Sequence, residues 1–295
     1  MTKAIDFVKG VAELTRPHNL IVAVVTTFIG YGIVSKTYGY QLADKTFIWP
    51  ALVVVLIAAA GYVINDYYDI ETDRIAKPWR PLVSGIVSPH TARILAYTLF
   101  ALGLAISAIM NPYILLFVAA NALLLHEYSR WIKRTGFIGN TVVAYNSAAT
   151  ILFGGLTRSI ELDALVPYAV LIPAIYAFLF VLGREIVKGI EDIEGDRRAG
   201  IYTIAVAYGA ERARSMAILL LGAVVAISPI PALLGIYNVL YAVFAVIVDV
   251  TILLSLITLY KANNIDEIIA AARKARSLLK VGFLAGGLAF TLGLL

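Results

Sequence analysis

The sequence predicts an all-α, polytopic membrane protein, and three observations carry that class. Apolar residues make up 61% of the 295-residue chain against 15% charged, with a mean hydropathy of +0.86. No soluble domain of this length needs so much apolar surface. The apolar residues gather into nine runs read as bilayer crossings, several of them short for a span. The links between the runs divide sharply by charge.

Residues 1–17 read as an amphipathic interfacial helix with Lys3, Asp6, Lys9 and Glu13, and not as a cleavable leader. Spans one and two cover about 18–35 and 47–64, and spans three and four about 92–110 and 113–125, parted by Asn111-Pro112. A polar link with Arg130, Lys133 and Arg134 leads to span five, about 137–156. The short link 157–163 leads to span six, about 165–183. Spans seven and eight cover about 216–234 and 240–260. A charged amphipathic stretch, about 263–280, precedes span nine, about 281–295.

Nine spans place the N-terminal segment and the links after even-numbered spans on one side. Of the 24 Lys and Arg residues, all but Lys36, Lys45 and Arg158 fall there, so that side is expected to be cytoplasmic. This topology accounts for most of the basic residues, and no nucleic-acid partner is expected. The chain is read as a single domain, 1–295. It has no cysteine, hence no disulfide or thiolate chemistry. His18, His90 and His126 are too scattered to read as a zinc site.

One pattern occurs twice at the expected cytoplasmic rim. Asp69-Ile-Glu-Thr-Asp73-Arg-Ile-Ala76 and Asp192-Ile-Glu-Gly-Asp196-Arg-Arg-Ala199 both read D-I-E-x-D-R-x-A, 192 − 69 = 123 residues apart, and each ends a long apolar run. Acidic clusters at a membrane rim are costly to place without a use. On a continuous helix Asn65, Asp66, Asp69 and Asp73 share an arc of about 100°, and Glu185, Asp192 and Asp196 one of about 40°, with Glu191 and Glu194 turned away. Clustered carboxylates repel one another, and a hard cation relieves that repulsion. Mg²⁺ keeps several waters and bridges to substrate phosphates, so the two clusters read as jaws for a diphosphate carried on metal ions. Lys77, Arg80, Lys133, Arg134, Lys188, Arg197 and Arg198 are candidate anion donors. Tyr67, Tyr68, Tyr128 and Tyr145 are membrane-interface residues that could also line a cavity for a greasy cation. Asp249, inside span eight, has no role in this scheme.

These residues resemble the UbiA superfamily of intramembrane prenyltransferases. Asn65-Asp66-x-x-Asp69-x-x-x-Asp73 is similar to its first signature and Arg80-Pro-x-x-Ser84-Gly85 to the tail that follows. Asp192-x-x-x-Asp196 with Gly200-Ile-x-Thr203 resembles the second, and Arg16-Pro-x-Asn19 fits ahead of span one. One position departs: an acidic residue often stands three before Asp192, and here Gly189 does, with Glu185 one turn earlier as the substitute. The resemblance covers the whole chain. It implies nine helices around a central cavity, Mg²⁺ on Asp66, Asp69, Asp73, Asp192 and Asp196, and catalysis through these and Asn65. Asn19, Lys77, Arg80, Tyr128, Lys133, Arg134, Glu185, Lys188 and Arg197 would bind substrate.

Within the family, Gly183–Asp196 looks most like the branch of archaeal lipid synthesis, which joins geranylgeranyl diphosphate to geranylgeranylglyceryl phosphate. The expected partners are therefore a prenyl diphosphate, a lipid-phosphate acceptor and membrane lipid. An aromatic acceptor, as in quinone-type members such as 4-hydroxybenzoate prenyltransferases, is the second reading. A non-enzymatic divalent-cation carrier is the third.

Overall fold

Ser88 and Asn111 open two of the helices through their side chains. Ser88 Oγ accepts from the Thr91 amide (3.0 Å) and Asn111 Oδ1 from the Tyr113 amide (2.9 Å), and each is followed by a proline preset for the first helical position. The same devices recur along a computed structural model that describes residues 2–295, apart from the side chains of 2, 3 and 76. The described residues are helical, with no strand: α1 Thr2–Thr15, α2 Pro17–Thr37, α3 Ile48–Tyr68, α4 Ile70–Ala76, α5 Pro89–Met110, α6 Pro112–Arg130, α7 Phe137–Glu161, α8 Leu171–Glu191, α9 Ile193–Arg198, α10 Ile204–Tyr208, α11 Ala210–Ile227, α12 Ile230–Leu233, α13 Val239–Tyr260 and α14 Ile265–Leu294.

The chain divides into two compact units, residues up to 27 with 44–132, and 28–43 with 133–295. In the first, α3 packs against α1, α5 and α6. The buried stripe of α5 is Ala92, Ala96, Phe100, Gly103 and Ser107, a spacing of three and four that keeps small residues toward α3. Its outer residue Ile109, and Tyr113 and Leu116 of α6, are exposed as lipid-facing side chains should be. In the second, α8 packs against α7, α11 and α14, and α13 lies along α14. Between lipid-embedded helices the apolar driving force is weak, so fit matters: Ala271, Ala275, Gly282, Ala285 and Ala289 form the small-residue seam of α14.

Several boundaries differ from the sequence expectation. Among the described residues, seven helical stretches are long and apolar enough to cross a membrane: Ala4–Thr37, Lys45–Tyr68, Pro89–Met110, Tyr168–Glu191, Ala210–Leu233, Val239–Tyr260 and Ile265–Leu294. The expected spans four and five form the long helices α6 and α7, but His126, Glu127 and Arg130 in α6 and the many small polar residues of α7 dilute their apolar character. The charged stretch 263–280 and span nine are one uninterrupted helix of 30 residues, begun by Asn264, whose Oδ1 accepts from the Glu267 amide. Span six starts late, at Leu171, because Pro167 holds its surroundings extended. The link after span five is mostly helix, and it buries Arg158. That guanidinium donates to Ser35 Oγ and Tyr31 Oη (2.9 Å each) and to Glu161 Oε2 (3.1 Å), and it lies over the Tyr31 ring. A charge is tolerated there because it is paired and hydrogen-bonded.

Candidate active site

Both acidic motifs sit at the ends of long helices, and both helices break at the aspartate in the middle. Asp69 (φ −94°, ψ 1°) separates α3 from α4, and Asp192 (φ −91°, ψ 8°) separates α8 from α9. This bridge conformation is sparsely populated and recurs at active sites. It corrects the expectation of one continuous helical face through each motif.

In the first motif Asp66 is buried, 5% exposed at its side chain, and its Oδ1 accepts from two guanidiniums, Arg16 Nη2 at 2.6 Å and Arg80 Nη1 at 2.5 Å. Arg80 reaches on to Asp73 Oδ2 (3.3 Å), and Lys77 lies 3.4 Å from Asp73 Oδ1. Asn65 Nδ2 donates to Asp69 Oδ2 at 3.0 Å, which orients that carboxylate. Arg16 reaches Asp66 from the junction of α1 and α2, where its φ is +52°, a left-handed conformation rare for a residue with a side chain, and its head stacks on the Tyr62 ring. A cavity of about 300 Å³ opens here, lined by Glu13, Arg16, His18, Asn19, Asp66 and Arg80. Asn19 and Arg80 were candidates from sequence; Arg16, Glu13 and His18 were not. The signal for Arg16 was the Arg16-Pro-x-Asn19 pattern ahead of span one. Asp66 was expected to be a metal ligand. Its Oδ1 accepts from two arginines, whose charges its burial requires.

The residue before Asp69 is tied outward. Tyr68 Oη lies 3.3 Å from His126 Nε2, His126 Nδ1 2.9 Å from Glu127 Oε1, and Trp131 Nε1 donates to Glu127 Oε2 at 2.8 Å. Tyr128 is half-buried in the last turn of α6.

In the second motif the residue before Asp192 is also tied outward: Glu191 accepts from Arg276 at 3.0 Å and lies 3.7 Å from Arg273. Burial, then the charge of neighbouring Asp192, pushes the Asp196 carboxyl up to about 6, with Lys188 and the Thr203 hydroxyl opposing. Glu185 is held by Arg184 (3.0 Å) and by Lys188 (3.6 Å), so its charge is already compensated. Arg197 pairs with Glu194 on an exposed face (3.4 Å). Beside Gly189 stands Thr203, its Cβ 3.5 Å from where a Gly189 Cβ would lie.

Lys133 and Arg134 form a 3-10 turn after α6, and the Tyr202 amide donates to the Arg134 carbonyl (3.4 Å). Gly136, at φ +67°, lets the two segments touch, because a Cβ there would come within 1.6 Å of the Tyr202 carbonyl oxygen. The basic link is thereby stitched to the loop that follows the second motif.

Among the described residues no three His, Asp or Glu side chains converge into a metal cage. Mg²⁺ does not require one, since it takes one or two carboxylates and leaves the remaining positions to water and phosphate. The repulsion between Asp192 and Asp196 is of the kind a cation relieves, and Asp69 and Asp73 offer a second pair of hard oxygens. The residues present therefore fit the ion.

A membrane-embedded, all-helical chain with twin aspartate motifs defines a class, and comparison with known proteins identifies it. Residues 23–293 match the UbiA prenyltransferase family, and the chain belongs to it. It is 52% identical over 299 residues to digeranylgeranylglyceryl phosphate synthase of Hyperthermus butylicus, covering 99% of each chain. A solved structure of digeranylgeranylglyceryl phosphate synthase superposes with a TM-score of 0.79 at 33% identity, covering 100% of this chain and 99% of that one. A UbiA homologue from Archaeoglobus fulgidus, bound to GPP and Mg²⁺, shares the fold at 19% identity with a TM-score of 0.60, covering 94% of this chain and 99% of that one.

Proposed function

We propose that this chain transfers a geranylgeranyl group from geranylgeranyl diphosphate to geranylgeranylglyceryl phosphate, forming the second ether bond of archaeal membrane lipid. The observation that carries this reading is the near full-length 52% identity to a synthase of that product. Mg²⁺, present with a prenyl diphosphate in the A. fulgidus homologue, would neutralise the charge that grows on the departing diphosphate. Asp66, Asp69 and Asp73 in the first motif, and Asp192 and Asp196 in the second, would each serve as ligands to such an ion, with Asn65 orienting Asp69 and Asp66 also fixing Arg16 and Arg80.

Arg16, Lys77 and Arg80 present donors to the same leaving oxygens, and because they are held in place beforehand they need little reorganisation. The C1–O bond breaks, the acceptor hydroxyl attacks the allylic cation, and its proton passes to the released diphosphate or water. Tyrosine faces shield the cation from bulk water. Lys133 and Arg134 take the acceptor phosphate. Tyr128, Asn19, Glu185, Lys188 and Arg197 complete the substrate-binding set.

Two further readings belong to this proposal. All nine long helices cross the bilayer as one prenyltransferase domain, supported by a family match that runs across both units. Both motifs face the cytoplasm, supported by the distribution of Lys and Arg.

One assay tests the reaction. Purified protein receives geranylgeranyl diphosphate and Mg²⁺, with geranylgeranylglyceryl phosphate or 4-hydroxybenzoate supplied in parallel. The phosphate lipid should be alkylated. Prenylation of the aromatic acid alone would overturn the acceptor assignment and leave the family chemistry standing.

A further inference from the structure

The helices that carry the two aspartate motifs repeat in register. α3 covers Ile48–Tyr68 and α8 covers Leu171–Glu191, so both ends keep the offset of the motifs, 171 − 48 = 191 − 68 = 123. Tyr68 and Glu191 are therefore equivalent positions, each the last helical residue before the break aspartate. Their side chains share no chemistry, yet each is anchored to a neighbouring helix. Tyr68 Oη lies 3.3 Å from Nε2 of His126 in α6. Glu191 Oε2 accepts from Nη1 of Arg276 in α14 at 3.0 Å.

Both anchors are themselves held. Glu127 Oε1 accepts from His126 Nδ1 at 2.9 Å, which leaves Nε2 of the neutral ring as an acceptor. Tyr97 Oη, from α5, comes to the same nitrogen at 3.2 Å. Two phenols sharing one lone pair account for the length of both contacts. The Tyr68 ring also meets the imidazole edge-on, with centroids 5.8 Å apart. On the other helix Arg273 Nε lies 3.7 Å from the second oxygen of Glu191. At both breaks the aspartate amide still bonds back into its helix, Asp69 to the Asn65 carbonyl and Asp192 to the Lys188 carbonyl (3.0 Å each). The sparsely populated conformation that follows has to be held by contacts from outside the helix.

We propose that His126 and Arg276 are positioning residues. Acting through Tyr68 and Glu191, they set the two helix breaks and so aim Asp69 and Asp192 at the metal. Unrelated side chains perform one task at equivalent positions, and that coincidence carries the inference. It rests on the reading that the two motifs bind Mg²⁺, and not on the acceptor.

Metal binding is read without turnover. Thermal unfolding of the full-length protein in detergent is followed as Mg²⁺ is titrated at fixed inorganic diphosphate, with no prenyl substrate, and the half-saturating Mg²⁺ is taken from the rise in midpoint. His126→Phe keeps a ring and loses Nε2, and it should raise that value about tenfold. Tyr68→Phe should match it, and the double variant should go no further, because both remove one contact. His126→Gln, whose Oε1 can accept from Tyr68, should return to within about threefold of wild type. Tyr97→Phe leaves the Tyr68 contact in place and should keep the wild-type value. Arg276→Met should repeat the rise of about tenfold from the second motif. A lowered midpoint with unchanged half-saturating Mg²⁺ in His126→Phe, Tyr68→Phe or Arg276→Met would reduce the contact to helix packing and overturn the proposal. An equal rise in Tyr97→Phe and Tyr68→Phe would do the same. If His126→Phe does not fold, the comparison of Tyr68→Phe with Tyr97→Phe decides. A wild type whose midpoint ignores Mg²⁺ would overturn the metal reading itself, an outcome distinct from a responsive wild type with unaltered variants.

Discussion

Thr203 packs against Gly189, and this pair stands 123 residues beyond Arg80 and Asp66, which form an ion pair. The two copies of the motif therefore use the same contact, once as a buried charge pair and once as a small neutral one. Where the first copy pairs Asp66 with Arg80, the second has neither charge. A Cβ added at Gly189 would lie 3.5 Å from the Thr203 Cβ, an ordinary van der Waals distance. Gly189→Ala should fold and retain activity within about threefold, after the small helix gain and slight crowding offset each other. A drop of a hundredfold would show that Gly189 is needed for backbone reasons.

Asp66 and Asp69 are adjacent in role but should fail differently. Asp66→Ala strips two largely buried guanidiniums of their shared partner and should cost about 3–5 kcal/mol of stability along with activity. Asp69→Ala, like Asp192→Ala, should abolish transfer and leave the midpoint of unfolding within a few degrees of wild type. Unfolding and turnover measured on the same preparations separate the two classes. Near-normal turnover by either Asp69→Ala or Asp192→Ala at saturating Mg²⁺ would remove that motif from the chemistry. Chelation by EDTA should silence the wild type, and added Mg²⁺ should restore it.

Asp196 sets a pH dependence. Its folded-state value of about 6 is above the ordinary 3.8, so metal-free protein gains stability as pH falls through 6 toward 4 and loses it as pH rises through the same window. Metal and proton compete for this carboxylate. Half-saturating Mg²⁺ should therefore climb about tenfold for each pH unit below 6 and level off above it. A flat Mg²⁺ requirement between pH 5 and 7 would mean that Asp196 does not bind the ion.

The basic link predicts a split between the two substrates. Lys133 and Arg134, changed together to Gln, should raise KM for the glyceryl-phosphate lipid tenfold or more, about 1.4 kcal/mol, with far less effect on geranylgeranyl diphosphate. If the diphosphate takes the loss, the link serves the donor. Gly136→Ala should mimic the double change at lower overall stability, because the link can no longer lie against Tyr202.

Much of this architecture is legible in the residues. The long helices lie over the apolar runs, with several boundaries displaced, and the paired motifs stand out by repetition. What escapes is long-range pairing and backbone conformation. The Asp66 cluster depends on Arg16 taking a left-handed φ 50 residues away, which no local pattern announces. Arg158 reads as an exposed link residue because Tyr31 and Ser35, more than 120 positions earlier, are its partners. Asp69 and Asp192 read as ordinary helical residues, since helical spacing is preserved on both sides of each break. The charged start of α14 reads as a separate segment because composition changes at about residue 280, although the backbone does not.

That last feature ties the second aspartate motif to the lipid. A 30-residue helix is about 45 Å long, well beyond the roughly 30 Å of hydrocarbon in a bilayer. Its apolar C-terminal half must match the acyl chains while Arg273 and Arg276 on its polar half grip Glu191, the residue before Asp192. A thinner or thicker bilayer changes the tilt of this rod, and hydrophobic mismatch is thereby delivered as a pull on the second aspartate motif. Acyl-chain length in reconstituted vesicles should consequently tune turnover in the wild type and lose much of that influence in Arg276→Gln.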